Sequence, residues 1–138
     1  MRIVYIAGKY RGENSWEVEQ NIRVAETQAL RIAGLGMMPL CPHSMTRYFD
    51  GTLTAEFWLE GTLELLRRCD AVYLCPGWEN SSGSVSERSE AVRLYTPVFE
   101  DLKELFLWNE DLGFRKQKYA ETTVLHCKEF LNTGLTVH

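Results

Sequence analysis

The stretch Cys69-Asp70-Ala71-Val72-Tyr73-Leu74-Cys75-Pro76-Gly77-Trp78-Glu79-Asn80-Ser81-Ser82-Gly83-Ser84-Val85-Ser86-Glu87-Arg88-Ser89-Glu90-Ala91 reads as a buried strand that feeds a Gly/Ser turn and opens a helix. In an open α/β sheet such a turn lies at the carboxyl edge of the strands, where ligands bind. The spacing places Glu87 in the first turn of that helix, where backbone amides and the positive end of the helix dipole hold a carboxylate ionised and fixed in direction. Such a group suits a nucleophile or an anchoring acceptor. The same spacing has a structural reading, because Ser84-x-x-Glu87 is a capping box in which the glutamate satisfies the helix terminus.

Upstream, residues 2–7 are rich in β-branched and aromatic types with little alternation, as expected of a strand buried on both faces of a parallel sheet. The run ends at Gly8. After the loop Gly8–Asn14, the segment Ser15–Ala33 carries Val18, Ile22, Ala25, Ala29 and Ile32 at helical spacing. Asn14 with Glu17 resembles a capping box, and Gly34 and Gly36 stop the helix. Met37–Cys41 reads as a second strand closed by Pro42, followed by a loop with His43, Arg47 and Tyr48. A second helix over Ala55–Arg68 aligns Leu59, Leu63 and Leu66 and delivers the chain to the strand Ala71–Cys75. Val85, Ala91 and Leu94 mark a third helix, and Thr96–Phe99 a short fourth strand.

This alternation predicts an α/β fold: a small Rossmann-like domain whose parallel four- to five-stranded sheet is flanked by helices through right-handed crossovers. Two further helices, Asp101–Asn109 and Lys116–Leu131, make residues 101–138 a C-terminal helical extension of one domain spanning 1–138. Its aromatic residues Phe106, Trp108, Phe114 and Tyr119 suit a subunit contact or core.

A chain of 138 residues is one domain's worth and can bury a core without disulfides or metal. A net charge of −4 and a pI near 5.4 argue against a protein that coats nucleic-acid backbone, so small-molecule partners are expected rather than nucleic-acid polymers. The cysteines Cys41, Cys69, Cys75 and Cys127 form no C-x-x-C pair and read as reduced thiols of a cytoplasmic protein. Cys41 with His43 falls short of the four ligands of structural zinc. The run from Met1 to Tyr5 shows no export signal, and no apolar stretch reaches membrane length. No metal or redox cofactor is expected, and no membrane partner.

The loop after the first strand is not a dinucleotide fingerprint, because Gly8-x-x-x-Gly12 lacks the G-x-G-x-x-G spacing, and it lacks the Walker pattern as well. Lys9 and Arg11 place two cations, and Tyr10 a ring, at the sheet edge. They suit a phosphate and a base or sugar, or are ordinary exposed loop charges. Trp78, with Asn80, Ser81, Ser82 and Ser84, offers a ring and hydrogen-bonding groups around one concavity.

Several pieces then fall together in order: Tyr5-Ile6-Ala7-Gly8-Lys9-Tyr10, Pro42-His43, Trp58-Leu59 with Cys69-Asp70-Ala71, and Ser82-Gly83-x-x-x-Glu87-x-x-x-Ala91. Over residues 2 to about 105 the chain resembles the nucleoside 2-deoxyribosyltransferase-like superfamily, particularly its small bacterial and phage branch. The resemblance implies that Glu87 is a nucleophile attacking the anomeric carbon of a ribose or deoxyribose and displacing the base. Another base or water would then release the sugar, as in retaining glycosidases. It also implies that Tyr10 joins Glu87 as a catalytic residue, that Tyr5 and His43 line the pocket, and that Trp58 and Trp78 stack the base or pack against the C-terminal helices. Gly8, Lys9, Arg11, Ser81, Ser82, Gly83 and Ser84 would surround the sugar or a 5′-phosphate, which favours a nucleoside monophosphate.

The chain departs from the family where an aspartate, eight residues before the match to Asp70, helps protonate the leaving base. Here that residue is Thr62, which donates a hydrogen bond but is no general acid near neutral pH. Glu60, Glu64 and Asp70 are candidate substitutes, Asp70 being better suited to a structural role. The resemblance further implies a homo-oligomer. Two alternatives stand beside the glycosidase: a nucleotide-binding or sensing module without turnover, and an NAD-cleaving enzyme of similar topology.

Overall fold

A computed structural model describes residues 1–110 of the chain. The expected helix over Lys116–Leu131, with Cys127, Phe114 and Tyr119, lies outside the described residues. The elements are β1 (Ile3–Ala7), α1 (Ser15–Gly34), β2 (Met38–Leu40), α2 (Pro42–Thr46), α3 (Ala55–Arg67), β3 (Ala71–Leu74), α4 (Ser82–Arg93), β4 (Val98–Phe99) and α5 (Leu102–Glu110), with a single 3₁₀ turn at Trp78–Asn80. The four strands form an all-parallel sheet in the order β2-β1-β3-β4, which is the expected Rossmann-like arrangement. Tyr5 lies opposite Leu40 on one side and Val72 on the other. Among the described residues no helix is long and apolar enough to cross a membrane.

Strand periodicity divides the core into two layers. Val4 and Ile6 of β1, with Ala71 and Tyr73 of β3, pack under α1 and α5 against Ala25, Ile32 and Leu105. Tyr5, Ala7, Val72 and Leu74 face the other way, against Leu66 of α3 and Ala91 of α4. A buried polar bond crosses the first layer, where the Tyr73 hydroxyl donates to Gln28 Oε1 at 3.1 Å. At the amino edge of the sheet Asp70 accepts from the Ile3 amide at 2.8 Å and pairs with Arg2 at 3.5 Å, the structural role expected of it.

The segment after Pro42 is a short helix rather than a loop, with Pro42 at its first turn. Proline there needs no N–H donor and brings a pre-set φ. Arg47, just beyond α2, bonds Glu19 of α1 at 2.6 Å, and Ser44 bonds Glu26 at 2.9 Å, so α2 is held on the flank of α1. The capping box at α1 is half formed. Asn14 Oδ1 accepts from the Glu17 amide at 2.9 Å, but the Glu17 carboxylate reaches the amide of Glu13, not that of Asn14.

Two helices end alike with different residues. After α1, Gly36 sits at φ 87° while the amides of Gly36 and Met37 return to the carbonyls of Ala33 and Ile32. This is a Schellman closure, and Gly34 lies inside the helix. After α4 the same closure joins the amides of Tyr95 and Thr96 to the carbonyls of Val92 and Ala91, but the left-handed position is held by Tyr95 at φ 57°. A tyrosine there is strained by about 1 kcal/mol, and its side chain, 95% exposed, recovers nothing by packing. Tyr95→Gly is therefore expected to stabilise the protein by about 1 kcal/mol, read as a raised midpoint in denaturant unfolding.

Candidate active site

The strand order reverses between β1 and β3, so the loops after these strands diverge and leave a crevice at the carboxyl edge of the sheet. There the two strand ends press closely together. A Cβ on Gly8 would stand 3.0 Å from Cys75 Cβ and 3.1 Å from its sulfur, so only glycine fits without displacement. The loop that follows is held from outside. His43 Nε2 lies 3.0 Å from the Gly8 carbonyl and 3.2 Å from that of Lys9, which makes it the protonated ring nitrogen. Asn21 of α1 donates to the carbonyls of Tyr10 and Arg11, both at 3.1 Å. Four successive carbonyls are thus tied down by side chains of two helices. Burial lowers the His43 pKa, in keeping with a neutral imidazole that braces a loop.

A cleft of about 900 Å³ opens above this edge. It gathers Glu87, Tyr5, Gly8, Lys9, Tyr10, Arg11, His43, Trp58, Ser81, Ser82 and Gly83, most of the residues expected there. Two expected residues stand elsewhere. Trp78 donates from its indole to Glu100 at 2.6 Å and carries the Arg88 guanidinium over its ring at 5.5 Å, so it braces the turn against the end of β4. Ser84 is fully buried within α4, with no partner for its hydroxyl among the described residues.

The start of α4 corrects the reading of Glu87. Ser81 is the N-cap, its hydroxyl accepting from the Ser84 amide at 3.3 Å, and the first turn holds no acidic residue. Glu87 is six residues into the helix, so neither the capping box nor the helix terminus accounts for it. The buried face of α4 is Ser84, Glu87 and Ala91, while Val85 and Leu94 are exposed. Burial raises the Glu87 pKa to about 7, and the Tyr5 hydroxyl partly opposes that rise. The expectation of a carboxylate held fully ionised is therefore overturned, because desolvation outweighs the distant helix end. Three residues on, Glu90 is drawn the other way, to about 2, by Arg93 and Arg67.

Tyr5 forms the floor beside Glu87. Among the described residues its hydroxyl meets no partner in full hydrogen-bond geometry, yet it stands near enough to Glu87 and Thr62 for both to perturb it. Burial raises its pKa well above the phenolic value, so it stays a neutral donor. Thr62 also lines the cleft and donates its own proton to the Leu59 carbonyl at 3.0 Å. The suggested substitutes for the missing acid do not reach the site. Glu64 is paired with Arg67 at 2.7 Å, Asp70 is at the other end of the sheet, and Glu60 does not line the cleft.

Over residues 2–100 the chain matches the profile of a family described as a domain of unknown function (DUF7768). The chain belongs to the DUF7768 family. Among curated proteins none matches it. The DUF7768 span contains every cleft residue named above and stops short of Leu102, where α5 begins. Sequence reasoning missed Phe49, Asp50, Glu56 and Ser86, which also line the cleft. The first three come from the α2–α3 connection and the first turn of α3, which carry no motif to mark them.

The raised pKa fixes the sign of a stability effect. Below about pH 4.5 the Glu87 carboxyl is protonated in both folded and unfolded chains. As pH rises through 7 the fold must ionise it in a buried setting, so the stability it contributes is lost. Glu87→Gln, which cannot ionise, is expected to gain about 2 kcal/mol more stability at pH 8 than at pH 5, measured as paired unfolding curves at the two pH values. Equal gains at both would show that Glu87 titrates normally.

Proposed function

We propose that this protein cleaves or exchanges the N-glycosidic bond of a nucleoside or nucleoside 5′-monophosphate, with Glu87 as the nucleophile. The observation that carries the reading is a carboxylate only 8% exposed, with no cation paired to it among the described residues, on the wall of a cleft at the switch point of the sheet. Such a group works against folding and has no capping duty. Buried carboxylates of raised pKa in clefts are typical of chemical sites.

In the proposed reaction a Glu87 carboxylate oxygen attacks the anomeric carbon as the C–N bond breaks, and the bond's electron pair leaves with the base. A proton reaches the base by way of solvent. Water, or the nitrogen of a second base, then attacks the same carbon and returns the carboxylate. Tyr5 stands beside Glu87 as a neutral phenol, while Tyr10 stands at the mouth, its pKa raised by burial and by the nearby Asp50 charge. Lys9, Arg11, Ser81 and Ser82 supply the donors for a 5′-phosphate. The commitment of the Thr62 proton to Leu59 favours a second reading, a nucleotide-binding module without turnover.

A chromatographic screen of nucleosides, nucleoside monophosphates and NAD, with and without added free base, decides between them. Native protein is expected to release or exchange a base, and Glu87→Gln to do so ~10³-fold more slowly or worse. Because only the ionised nucleophile attacks, kcat/KM is expected to rise with pH through about 7. Ligand binding by both proteins with no base released by either would establish the binding module.

A further inference from the structure

One stretch of the cleft is unused by the chemistry proposed above. It comprises Phe49 and Asp50 from the α2–α3 connection, with Glu56 and Trp58 from the start of α3. Phe49 stacks on Trp58 with ring centroids 5.5 Å apart and planes 21° apart, and Phe57 meets Trp58 edge-on at 5.2 Å and 81°. Trp58 is thereby fixed in direction. Phe49 is 47% exposed, an aromatic surface open at the cleft. The Trp58 indole N–H is buried with no acceptor. Asp50 and Glu56 take part in no ion pair among the described residues.

We propose that Phe49, Asp50 and Glu56, with Trp58 backing the Phe49 ring, form the subsite for the leaving base, and that it selects heterocycles that carry an exocyclic amino group. The identification of the ligand as a base rests on the glycosidic reading; the choice among bases rests on the side chains. A flat heterocycle stacks on Phe49, continuing a pile that already contains Trp58, and base–aromatic stacking of this sort contributes about 1–3 kcal/mol. Ionised carboxylates accept hydrogen bonds and never donate them. Beside Asp50 and Glu56 an amino group is therefore satisfied, whereas the carbonyl oxygen of a deaminated base meets like charge. Adenine and cytosine carry an amino group; hypoxanthine and uracil carry a carbonyl in its place.

The test is a tryptophan-fluorescence titration of free adenine, cytosine, hypoxanthine and uracil into the Glu87→Gln protein, which keeps the cleft and prevents turnover. Trp58→Phe in that background assigns the signal among the four tryptophans of the chain. Adenine and cytosine are expected to bind about tenfold more tightly than their deaminated counterparts, the worth of one hydrogen bond to a charged acceptor. Asp50→Asn with Glu56→Gln should erase the preference while binding persists. Phe49→Ala, a change at an exposed ring, should weaken all four bases, with circular dichroism to show that the fold is kept. Equal affinity for all four bases, no binding of any, or a preference that survives the Asp50 and Glu56 changes would overturn the subsite. The two proposals fail separately. A base preference without glycoside cleavage by native protein leaves the subsite and removes the reaction, whereas cleavage without the preference does the reverse.

Discussion

A buried carboxylate with no cation paired to it among the described residues is the constraint to which the α3/α4 layer is fitted. Glu87 and Glu90 lie on the same helix, yet Glu90 is neutralised by Arg67 and Arg93 while Glu87 faces Tyr5 and the cleft. The Arg67–Glu90 pair, 2.9 Å long, ties α3 to α4 and so fixes the helix that carries the unpaired group. Stability that Glu87 withholds has to come from elsewhere. It is supplied by the apolar layers on either side of β1 and β3, whose inner residues are almost wholly excluded from water.

That division of labour also sorts the sheet end to end. The amino edge is closed by Asp70, which receives the Ile3 amide and Arg2. At the carboxyl edge the strands stop early, Gly8 meets Cys75, and the polar side chains converge. An aspartate at one end thus staples β1 to β3, while a glutamate at the other has no cation paired to it among the described residues. The two carboxyl groups differ in role because one has amide and guanidinium partners and the other has a neutral phenol.

The sheet was legible because β1 and β3 are short apolar runs followed by helical spacing, a pattern that few other folds produce. The five-residue α2 was not, since a helix shorter than two turns shows no period; Pro42 was the available signal. At α4 the pattern misled for two reasons. Ser81, Ser82 and Ser84 are all acceptable caps, and the 3₁₀ turn after Gly77 decides for Ser81, which moves Glu87 inward by three positions. Periodicity also assumes that buried means apolar, so Val85 and Leu94 were taken for the inner face when Ser84 and Glu87 hold it. Trp78 was drawn to the site by its neighbours in sequence, but its indole finds Glu100, a partner 22 residues away.

The loop after β1 has its carbonyls held by His43 and Asn21 before any ligand arrives. Ordering a residue's backbone on binding costs about 1–2 kcal/mol, and for Gly8 to Arg11 most of that loss is incurred when the protein folds. The cations of Lys9 and Arg11 therefore ride on a preset backbone, with only their own side chains left to settle. Affinity for any small ligand that enters this cleft would be set in part by an imidazole and an amide that need never touch it.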